Sequence, residues 1–410
     1  MGAKRSAALA VMVLSVLGAS CASTPATQPR GAEYKVALIS SMTGAASPEF
    51  SETPQGFDAA IGEINAAGGA GGHRIVGKVY DDQTNPAIVI QVVQKAISDG
   101  NQTLVSESPL FFLAAKFPQQ AGIPVVGGGF DGSEWGTPGF ENMFAADMGS
   151  NDPENPPTSQ IGSFMKARGG TVACSWGYGI SPSSTQSATN AMWSALAAGL
   201  RKGVLDTSIP FGGVDFTSSA LAAKAARCDA IWSSTDVNSS VALTEALHNA
   251  GVEVKVNIFS AGLEPSLVNG PAWPTIIGAY FTTGFRPVSI PNDATRQMTS
   301  SLATYAHRPG SSFPTYAIYE AYVAIQLVAE GLRGATSTSS ASMISSLRSL
   351  TSWNAHGLLS NTIDYATVFG HGTNPACDWY LRAEAKGFVP VSTALFCGND
   401  LPGRSGKMAP

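Results

Sequence analysis

The sequence has few charged residues and no concentration of basic ones. Asp, Glu, Lys and Arg together make up 13% of the 410 residues, about half of the roughly 25% that is usual in globular proteins. The net charge is -5, and no run of Lys and Arg with interleaved aromatic residues occurs. Binding to a nucleic-acid backbone requires such basic residues, so a nucleic-acid partner is not expected.

Motifs that carry catalysis are also missing. There is no Gly-x-Ser-x-Gly nucleophile elbow and no phosphate-binding loop. Residues 127–132 (GGGFDG) have the spacing of a dinucleotide fingerprint, but residues 134–139 (EWGTPG) cannot form the helix that this fingerprint must open. The histidines are dispersed without metal-ligand spacing: His73, His248, His307, His356 and His371. We therefore expect no catalysis, no cofactor and no metal.

The N-terminal residues resemble a secretory signal. Lys4 and Arg5 precede an apolar run over residues 7–17, which is too short to span a membrane as a helix. LGASC at residues 17–21 resembles a lipobox ending at Cys21, although its Leu lies four residues before the Cys instead of three. Either lipidation of Cys21 or ordinary cleavage fits, with residues 1–21 as the signal and 22–33 as a flexible tether.

Between residues 35 and 129, apolar runs of strand length alternate with amphipathic helical patterns. Four runs predict buried strands: 36–40, 75–80, 103–105 and 124–126. One helix face is predicted by Phe57, Ala60, Ile61 and Ile64. Asn85 and Pro86 predict the N-cap and first position of the next helix. The alternation predicts an α/β fold with a doubly wound parallel sheet, which binds ligands beyond the carboxyl ends of its strands.

The alternation continues after residue 147. Further strands are predicted at 171–175, 229–233 and 254–259, and helices at 161–165, 191–200, 241–249 and 317–331. The helix over 191–200 is expected to end near Gly203. A hairpin is predicted over residues 379–391, with its turn at Lys386 and Gly387.

Four segments resemble, in order and spacing, the landmarks of the type I periplasmic binding proteins, in particular their branched-chain amino-acid branch. They are ISSMTG at 39–44, EINAAGG at 63–69, DDQ at 81–83 and AGIPVV at 121–126. The resemblance implies two doubly wound parallel-sheet lobes joined by a three-segment hinge. On this basis lobe one comprises residues 34–147 and 279–372, and lobe two comprises residues 148–278 and 373–410.

The resemblance also implies ligand-binding residues in lobe one. Ser108 falls on the family's carboxylate-binding serine, with a plain helix cap as the alternative. Gly129 and Asp131 occupy the loop where the family uses a carbonyl and a hydroxyl to meet the ligand's ammonium. Asp131 in place of the hydroxyl either pairs with the ammonium or indicates a ligand without an amino-acid headgroup. Thr43 and Phe130 complete the candidates of this lobe.

Three further candidates lie in lobe two. Tyr178 matches the aromatic residue of the family's Tyr-Gly pair, whose ring packs on the ligand. Asp236 stands where the family often has a ligand-facing aromatic residue, and Glu264 lies near its ammonium-binding Glu. Each of these two acids fits a solvated loop charge equally well.

Four cysteines remain whether Cys21 is lipidated or removed, which in an exported protein allows two disulfides. Cys377 and Cys397 flank the predicted hairpin, and bridging its ends predicts one disulfide. Cys174 and Cys228 lie on neighbouring strands with an offset of four residues, or about 13 Å. This offset exceeds the ~7 Å limit for bridging, so both are predicted to be buried thiols unless the register differs.

The resemblance implies an extracytoplasmic monomer that hands a small molecule to the membrane permease subunits of an ABC importer, with no membrane contact beyond the lipid anchor. The favoured ligand is a hydrophobic or branched-chain amino acid. The alternative ligand is an amide, an aromatic acid or another apolar carboxylate. The alternative function is that of a sensory ligand-binding module.

Overall fold

A computed structural model of the chain describes residues 1–2, 31–147, 155–268, 270–309, 313–368 and 376–404. The predicted lipidation site Cys21, with nearly all of the signal and tether, lies outside these residues. Within them, no helix has both the length and the apolar character needed to cross a membrane.

The first sheet has five parallel strands in the order β2-β1-β3-β4-β5. The strands are β1 (Tyr34–Ser40), β2 (Ile75–Asp81), β3 (Thr103–Glu107), β4 (Val125–Gly127) and β5 (Met143–Ala145). The sequence predicted the first four. Their residues are buried almost throughout in β1, β3 and β4, as expected for the centre of a sheet that helices cover on both faces.

Within the described residues, seven α-helices surround this sheet and, with it, form what we call lobe one. They are α1 (Ser47–Phe50), α2 (Thr53–Ala66), α3 (Pro86–Ser98), α4 (Lys116–Ala121), α10 (Asp293–Tyr305), α11 (Tyr316–Gly334) and α12 (Ser340–Arg348). The predicted N-cap of α3 is confirmed, because Asn85 Oδ1 accepts from the N–H groups of Ala87 (2.9 Å) and Ile88 (3.3 Å). Gly56 lets α2 approach α11 closely, since a Cβ there would collide with the Ile318 carbonyl.

The second sheet has eight strands in the order β12-β11-β10-β9-β8-β6-β7, with β13 beside β11. They are β6 (Val172–Tyr178), β7 (Arg201–Ile209), β8 (Ala230–Ser234), β9 (Val256–Phe259), β10 (Tyr280–Thr283), β11 (Cys377–Glu384), β12 (Gly387–Pro390) and β13 (Phe396–Cys397). Strands β6 to β10 pair in parallel, whereas β11 to β13 are antiparallel. The predicted hairpin is confirmed as β11 and β12.

Five α-helices in the described part of the chain complete lobe two: α5 (Gln160–Ala167), α6 (Pro182–Ala197), α7 (Thr217–Ala226), α8 (Val237–Asn249) and α9 (Trp273–Ile276). The expected end of the helix near Gly203 was wrong, because α6 stops at Ala197 and β7 begins at Arg201. Strand β7 lies at the edge of the sheet and most of its side chains are partly or fully exposed. It therefore lacks the apolar run by which the other strands were recognised.

The chain returns from lobe two to lobe one between β10 and α10, over residues 284–292. The two other predicted crossings fall on residues 148–154 and 369–375, outside the described residues. The lobe boundaries at 147 and 372 thus stay predictions. The predicted boundary at 278 lies too early, because β10 (Tyr280–Thr283) pairs with β9 and β11 of the second sheet. The α/β fold with two lobes is confirmed.

Both pairs of cysteines are bridged. The predicted disulfide between Cys377 and Cys397 is confirmed: the two residues are antiparallel partners in β11 and β13, with Cα atoms 4.0 Å apart. The bridge fastens the short strand β13 to the sheet. It closes a loop whose ends are 20 residues apart in the sequence.

The prediction of buried thiols at Cys174 and Cys228 was wrong, because these residues form a second disulfide with Cα atoms 5.8 Å apart. Cys174 lies opposite Ile231 in the sheet, so Cys228 precedes the start of β8. Arg227, with φ of 59°, turns the chain in left-handed conformation at the end of α7. Cys228 therefore lies over the face of the sheet, and the offset measured along a strand does not apply.

Candidate functional site

A cavity of about 400 Å³ lies between the lobes, beyond the carboxyl ends of both sheets. Lobe one contributes Ala46, Glu49, Phe50, Pro109, Phe130, Asp131, Asp147 and Tyr316. The helix α6 contributes a polar wall: Ser183, Ser184, Gln186, Ser187 and Asn190, with Ser181 as its N-cap. The remaining lobe-two residues include Tyr178, Phe211, Trp232 and Asp236. The position agrees with the expectation for a doubly wound sheet.

The two lobes contact each other around this cavity. The Ser183 hydroxyl of lobe two donates to the Phe130 carbonyl of lobe one. Phe211, in the loop after β7, packs against the lobe-one cluster formed by Ala46, Phe50 and Ala317. The cavity is thus enclosed by contacts between groups that the sequence places far apart.

Six aromatic side chains line the cavity: Phe50, Phe130 and Tyr316 from lobe one, and Tyr178, Phe211 and Trp232 from lobe two. The rings of Phe50 and Phe130 are stacked with centroids 5.5 Å apart. Tyr316 meets Phe130 edge-on at 6.5 Å, and Phe211 lies 4.9 Å from Tyr178. Aromatic faces of this kind bind apolar groups and organic cations.

Thr43 and Ser108 do not line the cavity. The Thr43 hydroxyl donates to Asp81 Oδ2 at 2.6 Å, which joins the loops after β1 and β2. The buried Ser108 hydroxyl donates to Asp82 and accepts from the Leu110 N–H group at 3.2 Å. Ser108 does not cap a helix, because the helical turns that follow begin at Phe111 and Lys116, with Leu110 and Ala115 as their N-caps. Its hydroxyl proton is directed at a carboxylate of its own lobe.

Gly129 and Asp131 belong to the loop after β4, and only Asp131 is among the residues that line the cavity. The Gly129 N–H group lies close enough to Asp147 to lower the pKa of that carboxyl group. Asp131 is 1% exposed; its Oδ2 accepts from the Phe112 N–H group at 2.6 Å and its Oδ1 from the Trp135 indole at 2.5 Å. Burial, then Glu134, raises the pKa of Asp131 to about 8. Its oxygens are thus occupied inside lobe one.

Tyr178 and Asp236 meet at the edge of the cavity. The Tyr178 hydroxyl donates to Asp236 Oδ2, and Asp236 Oδ1 accepts from the N–H groups of Asn238 (2.8 Å) and Ser239 (3.1 Å). Asp236 is therefore the N-cap of α8, which explains its position in the sequence. Burial, followed by Asp236, raises the pKa of Tyr178 well above its usual range.

Glu264 lies behind the cavity wall. It is 3% exposed, and its Oε1 has no hydrogen-bond partner among the described residues. Burial raises its pKa well above the usual range, and Glu49 and Glu52 of lobe one add to this effect, whereas Arg308 opposes it. Arg308 is itself bound to Glu52 at 2.9 Å.

The sequence did not single out Glu49, which faces Asp236 across the cavity. Glu49 is 8% exposed, and no described residue donates a hydrogen bond to it or forms an ion pair with it. Burial, then the charge of Asp236, raises its pKa to about 8. The four-residue helix α1 that carries it follows the loop in which Thr43 was predicted to act. One sequence pattern could have identified Glu49 as a site residue. It is the acidic residue followed by an aromatic one, Glu49-Phe50, in the segment after a predicted strand.

Asp147, also missed, lines the cavity at the end of lobe one. Its Oδ2 accepts from the Tyr316 hydroxyl at 3.2 Å. Two further acids lie behind it, Glu107 at the end of β3 and Glu320 in α11, which are 0% and 1% exposed and have no ion-pair partner among the described residues. Burial raises the pKa of Asp147 to about 6 and that of Glu107 to about 8. These acids are distant in the sequence, so their meeting is a property of the fold.

The match to a known family covers most of the chain. Residues 33–382 match the Periplasmic binding protein family. The chain belongs to this family. The resemblance drawn from the four sequence landmarks is thereby confirmed, and with it the two-lobe architecture of a periplasmic binding protein.

The relatives by sequence match only in part. The Leu/Ile/Val/Thr-binding protein of Salmonella typhimurium is 34% identical over 68 residues, which are 17% of this chain and 19% of that protein. The match thus spans about a fifth of the length of the curated relative. No ligand is transferred from so short a stretch.

Solved structures show the same fold over nearly the whole chain. A solute-binding protein of an ABC transporter from R. palustris, in complex with benzoate, has a TM-score of 0.70 at 16% identity, covering 92% of this chain and 100% of that one. A leucine binding protein from Thermotoga maritima has a TM-score of 0.71 at 14% identity, covering 89% and 99%. At these identities the likeness concerns the fold alone.

Proposed function

We propose that this periplasmic binding protein is the extracytoplasmic solute-binding component of an ABC importer. The observation that supports this role is the cavity of about 400 Å³ whose walls come from both lobes. A ligand that contacts both walls stabilises the closed arrangement of the lobes, and the permease subunits recognise that arrangement. Export and anchoring at Cys21 belong to the same proposal, as does the absence of catalysis.

A hydrophobic or branched-chain amino acid is the first candidate ligand. The sequence landmarks and the names of the relatives support it, and the six aromatic side chains of the cavity suit an apolar side chain. An amide, an aromatic acid or another apolar carboxylate is the second candidate. The solved structure of similar fold with bound benzoate supports this one.

A thermal-shift screen tests the proposed function. Amino acids, amides, aromatic acids and amines are added singly to the purified protein. A ligand that binds only the folded protein, present at a hundred times its dissociation constant, adds about 2.7 kcal/mol to the free energy of unfolding. We expect at least one class to raise the melting temperature by several degrees. A screen without any shift would contradict a role in solute capture.

A further inference from the structure

Five carboxyl-bearing residues line the cavity: Glu49, Asp131, Asp147, Asp236 and Asp378. None of the lining residues that the structure describes is Lys, Arg or His. Three of the five acids are engaged by protein donors, since Asp131 and Asp236 accept on both oxygens and Asp378 accepts from Gln160 at 2.9 Å. Glu49 has no protein donor among the described residues, and Asp147 has one buried oxygen atom, Oδ1, without a hydrogen-bond partner among them.

Glu49 is the decisive group, because it is buried, is part of the cavity wall and has no side-chain partner within the described part of the chain. A carboxylate taken out of water without a partner is costly unless a positive charge or hydrogen-bond donors satisfy it. Among the described residues, the charged groups found to act on Glu49 are acidic: Asp236 across the cavity and Glu264 behind it. The described cation that acts on Glu264, Arg308, is held by Glu52 and by Gln55 at 2.9 Å.

Asp147, at the other end of the lobe-one wall, is likewise an acid of the cavity wall with an oxygen atom that has no described partner. Asp147 Oδ1 has no hydrogen-bond partner among the described residues, while its Oδ2 accepts from Tyr316. The buried acids Glu107 and Glu320 act on it from behind. A negative charge placed in the cavity would therefore face acidic groups at both ends, and a positive charge would be attracted by both.

Ser108, the residue predicted to bind a carboxylate, is not among the residues that line the cavity and donates its hydroxyl proton to Asp82. In the loop predicted to meet an ammonium group, the Gly129 N–H group lies beside Asp147, and the position where the family has a hydroxyl is the acid Asp131. The surrounding rings of Phe50, Phe130 and Tyr316 are suited to the opposite charge, since aromatic faces attract ammonium groups within about 6 Å.

We infer that the cleft recognises an organic cation, an apolar molecule that carries an ammonium group and no carboxylate, with Glu49 and Asp147 as its charge partners. The inference rests on the proposed function, which it narrows. An amine or an amino-acid amide is then preferred over the zwitterionic amino acid, and the simple carboxylate is rejected.

A matched series of compounds on one skeleton tests this charge preference. The probes are 2-phenylethylamine, phenylalaninamide, phenylalanine and 3-phenylpropanoate, each titrated into the full-length protein by calorimetry and thermal shift. We expect the two cations to bind at least tenfold more tightly than phenylalanine, and 3-phenylpropanoate to give no shift. Equal or tighter binding of 3-phenylpropanoate or phenylalanine would overturn the inference. Absence of detectable binding by both cations would also overturn it.

Two substitutions identify the charge partners. Glu49→Gln is expected to weaken binding of 2-phenylethylamine at least 30-fold, and Asp147→Asn about tenfold, because each removes a carboxyl group that a bound ammonium holds in its charged form but retains the shape. Glu245→Gln, an exposed acid on α8, is the control and should leave the affinity unchanged. Unchanged affinity in both cavity variants would overturn the assignment.

Failure of the inference and failure of the proposed function give different results. If the cation inference is wrong but the proposed function is right, a neutral or anionic compound of the screen raises the melting temperature. The substitution Glu49→Gln then does not weaken binding of that compound. If the function itself is wrong, compounds of every charge leave the melting temperature unchanged.

Discussion

The two walls of the cleft differ in chemistry. The lobe-one wall carries Glu49 and Asp147 among aromatic rings, with further buried acids behind each of them. The lobe-two wall consists largely of neutral hydroxyl and amide groups on α6. Its acids are engaged within the lobe, Asp236 as a helix cap and Asp378 as the acceptor of a hydrogen bond from Gln160. Charged groups discriminate between ligands more sharply than neutral ones, so we assign charge selection to lobe one and adaptable polar contacts to lobe two.

The largest expected effect comes from reversing the charge of the lobe-one wall. Glu49→Lys should weaken ammonium binding by more than 100-fold, which corresponds to about 3 kcal/mol. The matched change on the other wall, Ser187→Ala, removes one neutral hydroxyl and should cost less than about 1.5 kcal/mol. Calorimetric titration of 2-phenylethylamine measures both. Similar losses in the two variants would remove the difference between the walls.

Removing an aromatic ring from the lobe-one wall should have the next largest effect. Phe130→Ala is expected to weaken cation binding by about 2 kcal/mol, because the ring's electrostatic attraction and its apolar surface are both lost. Phe130→Leu, which retains much of the apolar surface, should recover about half of this loss. Full recovery by Leu would show that the ring acts only as apolar surface.

The dependence of stability on pH should follow from the unpaired acids of lobe one. Burial raises the pKa of Glu49 from its ordinary value of 4.5 to about 8, so between these values the folded protein binds more protons than the unfolded chain. The free energy of unfolding of the ligand-free protein should therefore fall as the pH rises from about 5 to 8.

Urea unfolding at several pH values measures this decline. In Glu49→Gln the decline should be clearly smaller, because this variant has no carboxyl group that titrates at the position. Asp236→Ala is the comparison on lobe two. That variant should lose stability because it removes the cap of α8, and its decline with pH should also be smaller, because the charge of Asp236 contributes to the raised pKa of Glu49. An unchanged slope in Glu49→Gln would contradict the environment described for this carboxyl group.

The smallest effect is expected for the contact between the walls. Ser183→Ala removes the hydroxyl that donates to the Phe130 carbonyl. Loss of one neutral hydrogen bond should weaken ligand binding by about 1 kcal/mol, or roughly fivefold, through the equilibrium between open and closed lobes. Small-angle scattering should show a more open ligand-free protein. An unchanged distribution of sizes would mean that this contact does not hold the lobes together.

Prediction from sequence succeeded where a local rule decides the structure. The apolar runs of β1 and β3 and the cap at Asn85 depend on neighbouring residues, and they were found. Strand β7 was missed because its edge position permits polar side chains. The disulfide between Cys174 and Cys228 was missed because the turn at Arg227 brings Cys228 over the sheet.

In the candidate site, too, some features could be predicted from the sequence, whereas others depend on residues that only the fold brings together. Alignment with the family placed Phe130, Asp131, Tyr178 and Asp236 in loops that line the cavity. It could not reveal that Ser108 is bound to Asp82, since that contact depends on two loops meeting. Glu49 and Asp147 depend on both lobes and on distant acids for their environment. The ligand roles of the predicted residues stay predictions.

The central claim is that the lobe-one wall selects a positive charge. A crystal structure of the protein with 2-phenylethylamine tests it most directly. We predict that the ammonium nitrogen lies within about 3 Å of a carboxylate oxygen of Glu49 or Asp147, with the ring among Phe50, Phe130 and Tyr316. An ammonium group that contacts only the hydroxyl groups of α6, or that points into solvent, would contradict the account.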